Sequence, residues 1–173
     1  MQHSYIDNSL HSLAAELGGA LVERGWRITT AESCSGGGIA AAITAVAGSS
    51  AWFEAGFVTY ANRIKVQVLG VDEAVLATEG AVSRVVAEQM ARGALAAAGA
   101  DLAVAVTGIA GPDGGSTDKP VGTVWFAWAL ASGGCYSHCY VFEGDRAAVR
   151  YQTVVRALRG SLETCRHGLI SSA

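Results

Sequence analysis

Between residues 27 and 46 a short Thr/Ile-rich run, 27–31, passes through Ser33 into three contiguous glycines and then an Ala-rich stretch carrying Ile39, Ile43 and Val46. β-branched residues favour an extended strand, and apolar residues stepping by three and four favour a helix. The segment therefore predicts a strand, a tight loop and a helix. That unit commits the chain to an α/β architecture, with strands covered by helices.

The rest of the chain repeats the alternation. Leu10, Leu13, Leu17 and Leu21 share one helical face over residues 9–24, and Gly25 supplies the stop. Residues 56–60 read as a second strand, followed by a short helix from Asn62 to Leu69 that ends at Gly70. Asp72 and Ser83 are placed to cap two further helices, ending at Gly80 and Gly99. The apolar run 102–106 is a buried strand that opens into a long Gly/Pro-rich loop, 108–122. Runs 123–130 and 136–142 flank Ser132, Gly133 and Gly134 as an antiparallel hairpin, the first strand alternating so weakly that it belongs in the sheet's centre. Asp145 caps a closing helix through Ala148, Tyr151, Val155, Leu158 and Leu162, and the last ten residues read as a frayed tail. The expected fold is a three-layer α/β/α sandwich, its mixed, mostly parallel sheet ending in an antiparallel hairpin. At 173 residues the chain is expected to form a single domain, 1–173.

Composition narrows the function classes. Twelve Lys and Arg against 15 Asp and Glu give a net charge of −3, with no basic block to follow a nucleic-acid backbone. No stretch is long and apolar enough to span a bilayer, and the start lacks the basic-then-apolar pattern of an export signal, so a cytoplasmic protein without membrane or nucleic-acid partners is expected. Cys34, Cys135, Cys139 and Cys165 form no CxxC pair and the four histidines no HxxxH pair, so neither a metal nor a cofactor is expected. Cys135 and Cys139, four strand residues or roughly 13 Å apart, are too distant for a disulfide.

Three loops follow strands at comparable ends, the place where open α/β sheets carry their sites. In the first, Ser33 is a nucleophile beside unpaired amides that serve as an oxyanion hole, or else Ser33 or Ser35 is only a helix N-cap, the commoner task there. A nucleophilic serine needs a base, and no histidine falls in a strand-end loop: His3 and His11 precede the fold, His138 is in a strand and His167 is in the tail. Lys65 remains, either as a solvated surface group or as a base. The second role requires its pKa to fall from about 10.4 to roughly 7 or 8, a shift worth about 4 kcal/mol. Tyr60 either packs with a wet hydroxyl or orients Lys65 and relays a proton. Asp145 and Arg146 offer a cap or a phosphate contact. A homo-oligomer is expected, with Trp52 and Phe53 as candidates for its apolar surface, unless they line the pocket or lie in the core, the commoner place for such bulky residues.

The stretches TAESCSGGG, AGSSAWFEAGFVTYANRIKVQVLGV, GAVS, VTGIAGPDGGSTDKPVGTVWFA and FEGDR together span most of the chain and resemble the CinA C-terminal domain family. Active members of that family are nicotinamide-nucleotide amidases. The resemblance implies a Ser/Lys amidohydrolase acting on a small-molecule pyridine nucleotide. Ser33 would attack the carboxamide, Lys65 would take its proton, and Tyr60 would assist. Ser35, Gly36 and Gly37 would form the supporting loop and, with Thr107, Gly108 and Arg146, hold the substrate. Position 35 is Ser where the family commonly has Thr, which keeps the hydroxyl. Larger CinA proteins carry a further metal-dependent pyrophosphatase domain for which 173 residues leave no room, so that activity is not expected.

Overall fold

The computed structural model describes residues 8–169. Helix α1 (Asn8–Arg24) leads into β1 (Ile28–Glu32) and α2 (Gly38–Thr44), then β2 (Phe53–Val58) and α3 (Asn62–Leu69). There follow α4 (Glu73–Glu79), α5 (Arg84–Ala98), β3 (Leu102–Gly108), the hairpin β4 (Thr123–Leu130) and β5 (Cys135–Val141), and α6 (Arg146–His167). The five strands form one sheet in the order β2-β1-β3-β4-β5. β1 pairs in parallel with both β2 and β3, whereas β4 runs antiparallel to both its neighbours. Four strands thus share one direction, while the pairings divide equally between parallel and antiparallel, so "mostly parallel" holds for direction and not for pairing.

Each face of the sheet carries its own core. Leu17, Leu21, Ile39, Ile43, Val149 and Leu158 of α1, α2 and α6 pack on Val104, Val106, Phe126 and Trp128. On the opposite face Val86, Ala87, Met90 and Ala91 of α5 lie over Ala31, Ala103, Ala105, Ala127 and Ala129. Alternate residues of a strand point to opposite faces, so β3 sends its large side chains one way and its alanines the other. The alanine face lets α5 sit close to the sheet. The same tightness extends to the edge of α5, where a Cβ on Gly93 would lie 1.9 Å from the Leu69 carbonyl oxygen.

The sequence-derived caps hold: Asp72, Ser83 and Asp145 accept from the amides of Ala74, Val86 and Ala148. Several boundaries move. β2 begins three residues before the expected strand and ends at Val58, leaving Tyr60 beyond it. The expected frayed tail is helical through His167, because Thr164 and Cys165 are buried against the core; residues 170–173 lie outside the described residues. His11 lies within α1 instead of preceding the fold, and His3 lies outside the described residues. Trp52 is buried and Phe53 packs against the same cluster, so both take the core role. All four cysteines are free. No helix among the described residues is long and apolar enough to cross a membrane.

Substituting Gly93→Ala forces a methyl into the α3 backbone. The expected cost is about 1–3 kcal/mol, read as a melting temperature lowered by roughly 2–4 °C per kcal/mol; an unchanged melting curve would show that α3 and α5 are not held this tightly.

Candidate active site

Parallel pairing puts the carboxyl ends of β1, β2 and β3 at one edge of the sheet, where Glu32 lies opposite Val58 on one side and Val106 on the other. The ladder runs one residue further on each side: the Ser33 amide donates to Val106 O at 3.1 Å, and the Thr59 amide donates to Glu32 O at 2.9 Å. Ser33 and the chain entering α3 are therefore held in register by the sheet itself.

Lys65 lies in the second turn of α3 on its inward stripe, four residues before Leu69, where an apolar residue is the ordinary occupant. Its side chain is 1 % exposed. Nζ lies 3.1 Å from Ser33 Oγ, 2.8 Å from Thr59 O and 3.0 Å from Tyr60 O. Burial lowers its pKa from 10.5 to about 8, because a desolvated ammonium is penalised relative to the neutral amine. These three contacts match the three N–H donors of an ammonium; in the neutral amine two N–H bonds serve the two carbonyls and the lone pair is left for the Ser33 hydroxyl. Lys65 is therefore not a solvated surface group.

Ser33 is 8 % exposed and opens onto a cavity of about 210 Å³ lined also by Cys34, Tyr60, Asn62, Lys65, Thr107, Gly108 and Arg146. No histidine lines it. The neighbouring thiol is a weak competitor, since burial pushes Cys34 up to about 12 and keeps it protonated. Among the described residues no group of three His, Cys, Asp or Glu side chains could hold a metal ion.

Other expected site residues are placed differently. The Tyr60 side chain is 61 % exposed, and its hydroxyl accepts from Arg146 at 3.3 Å; what reaches Lys65 is the Tyr60 carbonyl. Tyr60 thus positions the lysine through its backbone, and no hydroxyl relay to Lys65 is formed here. Arg146 also donates to Gly111 O at 2.8 Å, tying the long loop across the cavity mouth. Asp145 caps α6, and Arg146 beside it lines the cavity. Thr107 lines the cavity, with its hydroxyl donated to Ala81 O at 2.8 Å.

Ser35, Gly36 and Gly37 are not among the cavity-lining residues. Gly36 and Gly37 adopt φ of 60° and 92°, the left-handed backbone that makes this turn so tight. Ser35 turns inward and donates to Glu32 at 2.6 Å. Neither serine caps α2; Gly37 occupies the N-cap position without a side-chain bond. The amides of Ile39 and Ala40 are bonded to the Glu32 carboxylate at 2.9 and 2.8 Å. The expectation that the start of α2 leaves free donors for an oxyanion is therefore wrong for these two amides. Glu32, fully buried next to Ser33, is a residue beside the candidate site that sequence reasoning missed. Its signal was a charged residue closing a strand otherwise made of Ile, Thr and Ala.

The profile of the CinA C-terminal domain matches residues 10–165. A nicotinamide-nucleotide amidohydrolase PncC of Enterobacter agglomerans is 56% identical over 156 residues, covering 90% of this chain and 95% of the relative. The protein of the same name from Pseudomonas putida is 59% identical over 152 residues, covering 88% and 94%. Among solved structures, competence/damage inducible protein CihA from Agrobacterium tumefaciens superposes with a TM-score of 0.90 at 44% identity, covering 95% of this chain and 100% of that one.

The buried lysine has a thermodynamic signature. Between pH 8 and 10.5 the unfolded chain holds a proton that folded Lys65 has released, so this group makes stability rise with pH across that window and adds no slope below it. Urea titrations from pH 7.5 to 10.5 should show that contribution as the difference between wild type and Lys65→Met; parallel curves would mean that Lys65 is not desolvated.

Proposed function

The chain belongs to the CinA C-terminal domain family, and from that membership we propose that it is a nicotinamide-nucleotide amidase, converting nicotinamide mononucleotide and water to nicotinate mononucleotide and ammonia. The observation that carries the mechanism is the 3.1 Å contact between Lys65 Nζ and Ser33 Oγ inside a cavity. That distance is within reach for direct proton transfer.

In the proposed reaction neutral Lys65 takes the Ser33 proton as Oγ bonds to the carboxamide carbon. The resulting ammonium gives its proton to the departing nitrogen, which leaves as ammonia while Ser33 holds the acyl group as an ester. Water then attacks the ester, loses a proton to Lys65, and releases the carboxylic acid as Oγ recovers its proton. The two carbonyls on Nζ accept from the amine and the ammonium alike, so the lysine changes charge without changing place.

A cavity of about 210 Å³ is smaller than the roughly 300–1,000 Å³ that encloses a drug-sized ligand. It suits the ring that bears the carboxamide, with ribose and phosphate at the mouth. Among the described residues Arg146 is bonded there to two neutral acceptors, Gly111 O and the Tyr60 hydroxyl, which leaves its charge to meet a phosphate. Four free cysteines support a reducing, cytoplasmic setting.

Ammonia release from nicotinamide mononucleotide tests the reading against its alternative, a nucleotide-binding module without turnover. Ser33→Ala and Lys65→Ala should each lower kcat by about a thousandfold or more, while Arg146→Ala should chiefly raise KM. In wild type, kcat/KM should climb with pH to a plateau above about 8, as Lys65 loses its proton. Full activity in Ser33→Ala would refute the mechanism, and tight nucleotide binding without ammonia would favour the module.

A further inference from the structure

We infer that Glu32, which the mechanism above does not use, is a positioning residue: its buried carboxylate sets where Ser33 Oγ stands relative to Lys65 Nζ, a role that rests on Ser33 being the nucleophile. Glu32 neither lines the cavity nor has any exposed surface, so it does not meet the substrate. What it meets is the turn that carries the nucleophile.

Four donors converge on the carboxylate. Oε2 accepts from the Ser35 hydroxyl at 2.6 Å and the Ile39 amide at 2.9 Å; Oε1 accepts from the Ala40 amide at 2.8 Å and the Thr30 hydroxyl at 3.3 Å. Two lie beyond the glycine turn and one within it, so a single side chain at the end of β1 clamps both limbs of the loop. Ser33 sits between Glu32 and that clamp. The Glu32 main chain acts on the other partner: its carbonyl accepts from the Thr59 amide, and the Thr59 carbonyl accepts from Lys65 Nζ. Both members of the dyad are thus referred to one residue.

Charge matters as well as shape. A buried carboxylate is costly unless every lone pair is met, and a helix start can be capped more simply by a serine or asparagine. Here Ser35 is available nearby, yet it donates to Glu32 instead of capping α2. Only an acceptor with two equivalent oxygens serves both amides. In Glu32→Gln the new NH₂ group must face either the Ile39 or the Ala40 amide, donor against donor, and the turn has to shift. Glu32→Asp keeps the charge but withdraws it by one methylene.

Labelling of Ser33 by a fluorophosphonate probe tests this role without reference to the natural substrate. Mass spectrometry would follow the second-order rate constant in wild type, Glu32→Asp, Glu32→Gln and Ser35→Ala. Glu32→Gln and Glu32→Asp should label about a hundredfold more slowly, the effect of misplacing a reacting group by about 1 Å. Ser35→Ala, which leaves both amides paired, should lose less than tenfold. With nicotinamide mononucleotide the loss should appear in kcat at nearly constant KM. A merely structural role would instead lower the melting temperature and the labelled fraction while the rate constant of that fraction stayed at the wild-type value; that result overturns the role. Should Glu32→Gln fail to fold, Glu32→Asp decides by the same rate constant. Wild-type enzyme that labels at Ser33 but releases no ammonia would refute the amidase reading, and the labelling series would still judge Glu32.

Discussion

The parallel pairing of β1 with β2 on one side and β3 on the other brings three chain reversals to one edge of the sheet. Hydrogen bonds of that ladder extend to Ser33 and Thr59, so Ser33 and the backbone that receives Lys65 are fixed by the same bonds that build the sheet. β1 is buried along its whole length, which leaves it no freedom to slip without exposing one face of the core. Rigidity of this kind suits a reaction in which a proton crosses a single short contact, because misplacement by about 1 Å is costly in rate.

Two buried polar side chains of opposite kind share this edge, and the fold treats them differently. Lys65 is given two carbonyls and a hydroxyl but no carboxylate within hydrogen-bonding distance, and burial lowers its pKa to about 8. Glu32 is given two amides and two hydroxyls, a full set of donors for an anion. Direct pairing of the two would have raised the lysine pKa and weakened it as a base. Keeping them on separate sets of partners lets Glu32 hold a loop while the proposed mechanism has Lys65 exchange a proton.

The asymmetric core supports the arrangement. Alanines under α5 allow a close helix on one face, and large side chains under α1, α2 and α6 fill the other. α3 is drawn in against α5 at Gly93, and this close approach carries Lys65 inward. A lysine on a helix of eight residues would otherwise reach solvent easily, since its long stem tends to carry its charge to the surface.

Read alone, the sequence determined the layered architecture, the hairpin and three helix caps, because periodicity, capping chemistry and glycine stops are local properties; it offered Ser33 and Lys65 as a candidate pair through the family resemblance. Strand ends were less legible: β2 starts at Phe53, opposite Ile28, where pairing with β1 decides. Only the tertiary structure decided that Lys65 is buried, that Tyr60 contributes its carbonyl to the lysine and its hydroxyl to Arg146, and that Ser35 turns to Glu32. These depend on contacts across the strand ends between residues far apart in the chain, or on the way a glycine turn folds back. A glutamate written after Ile-Thr-Thr-Ala carries no mark of the amides it will meet once α2 closes over it.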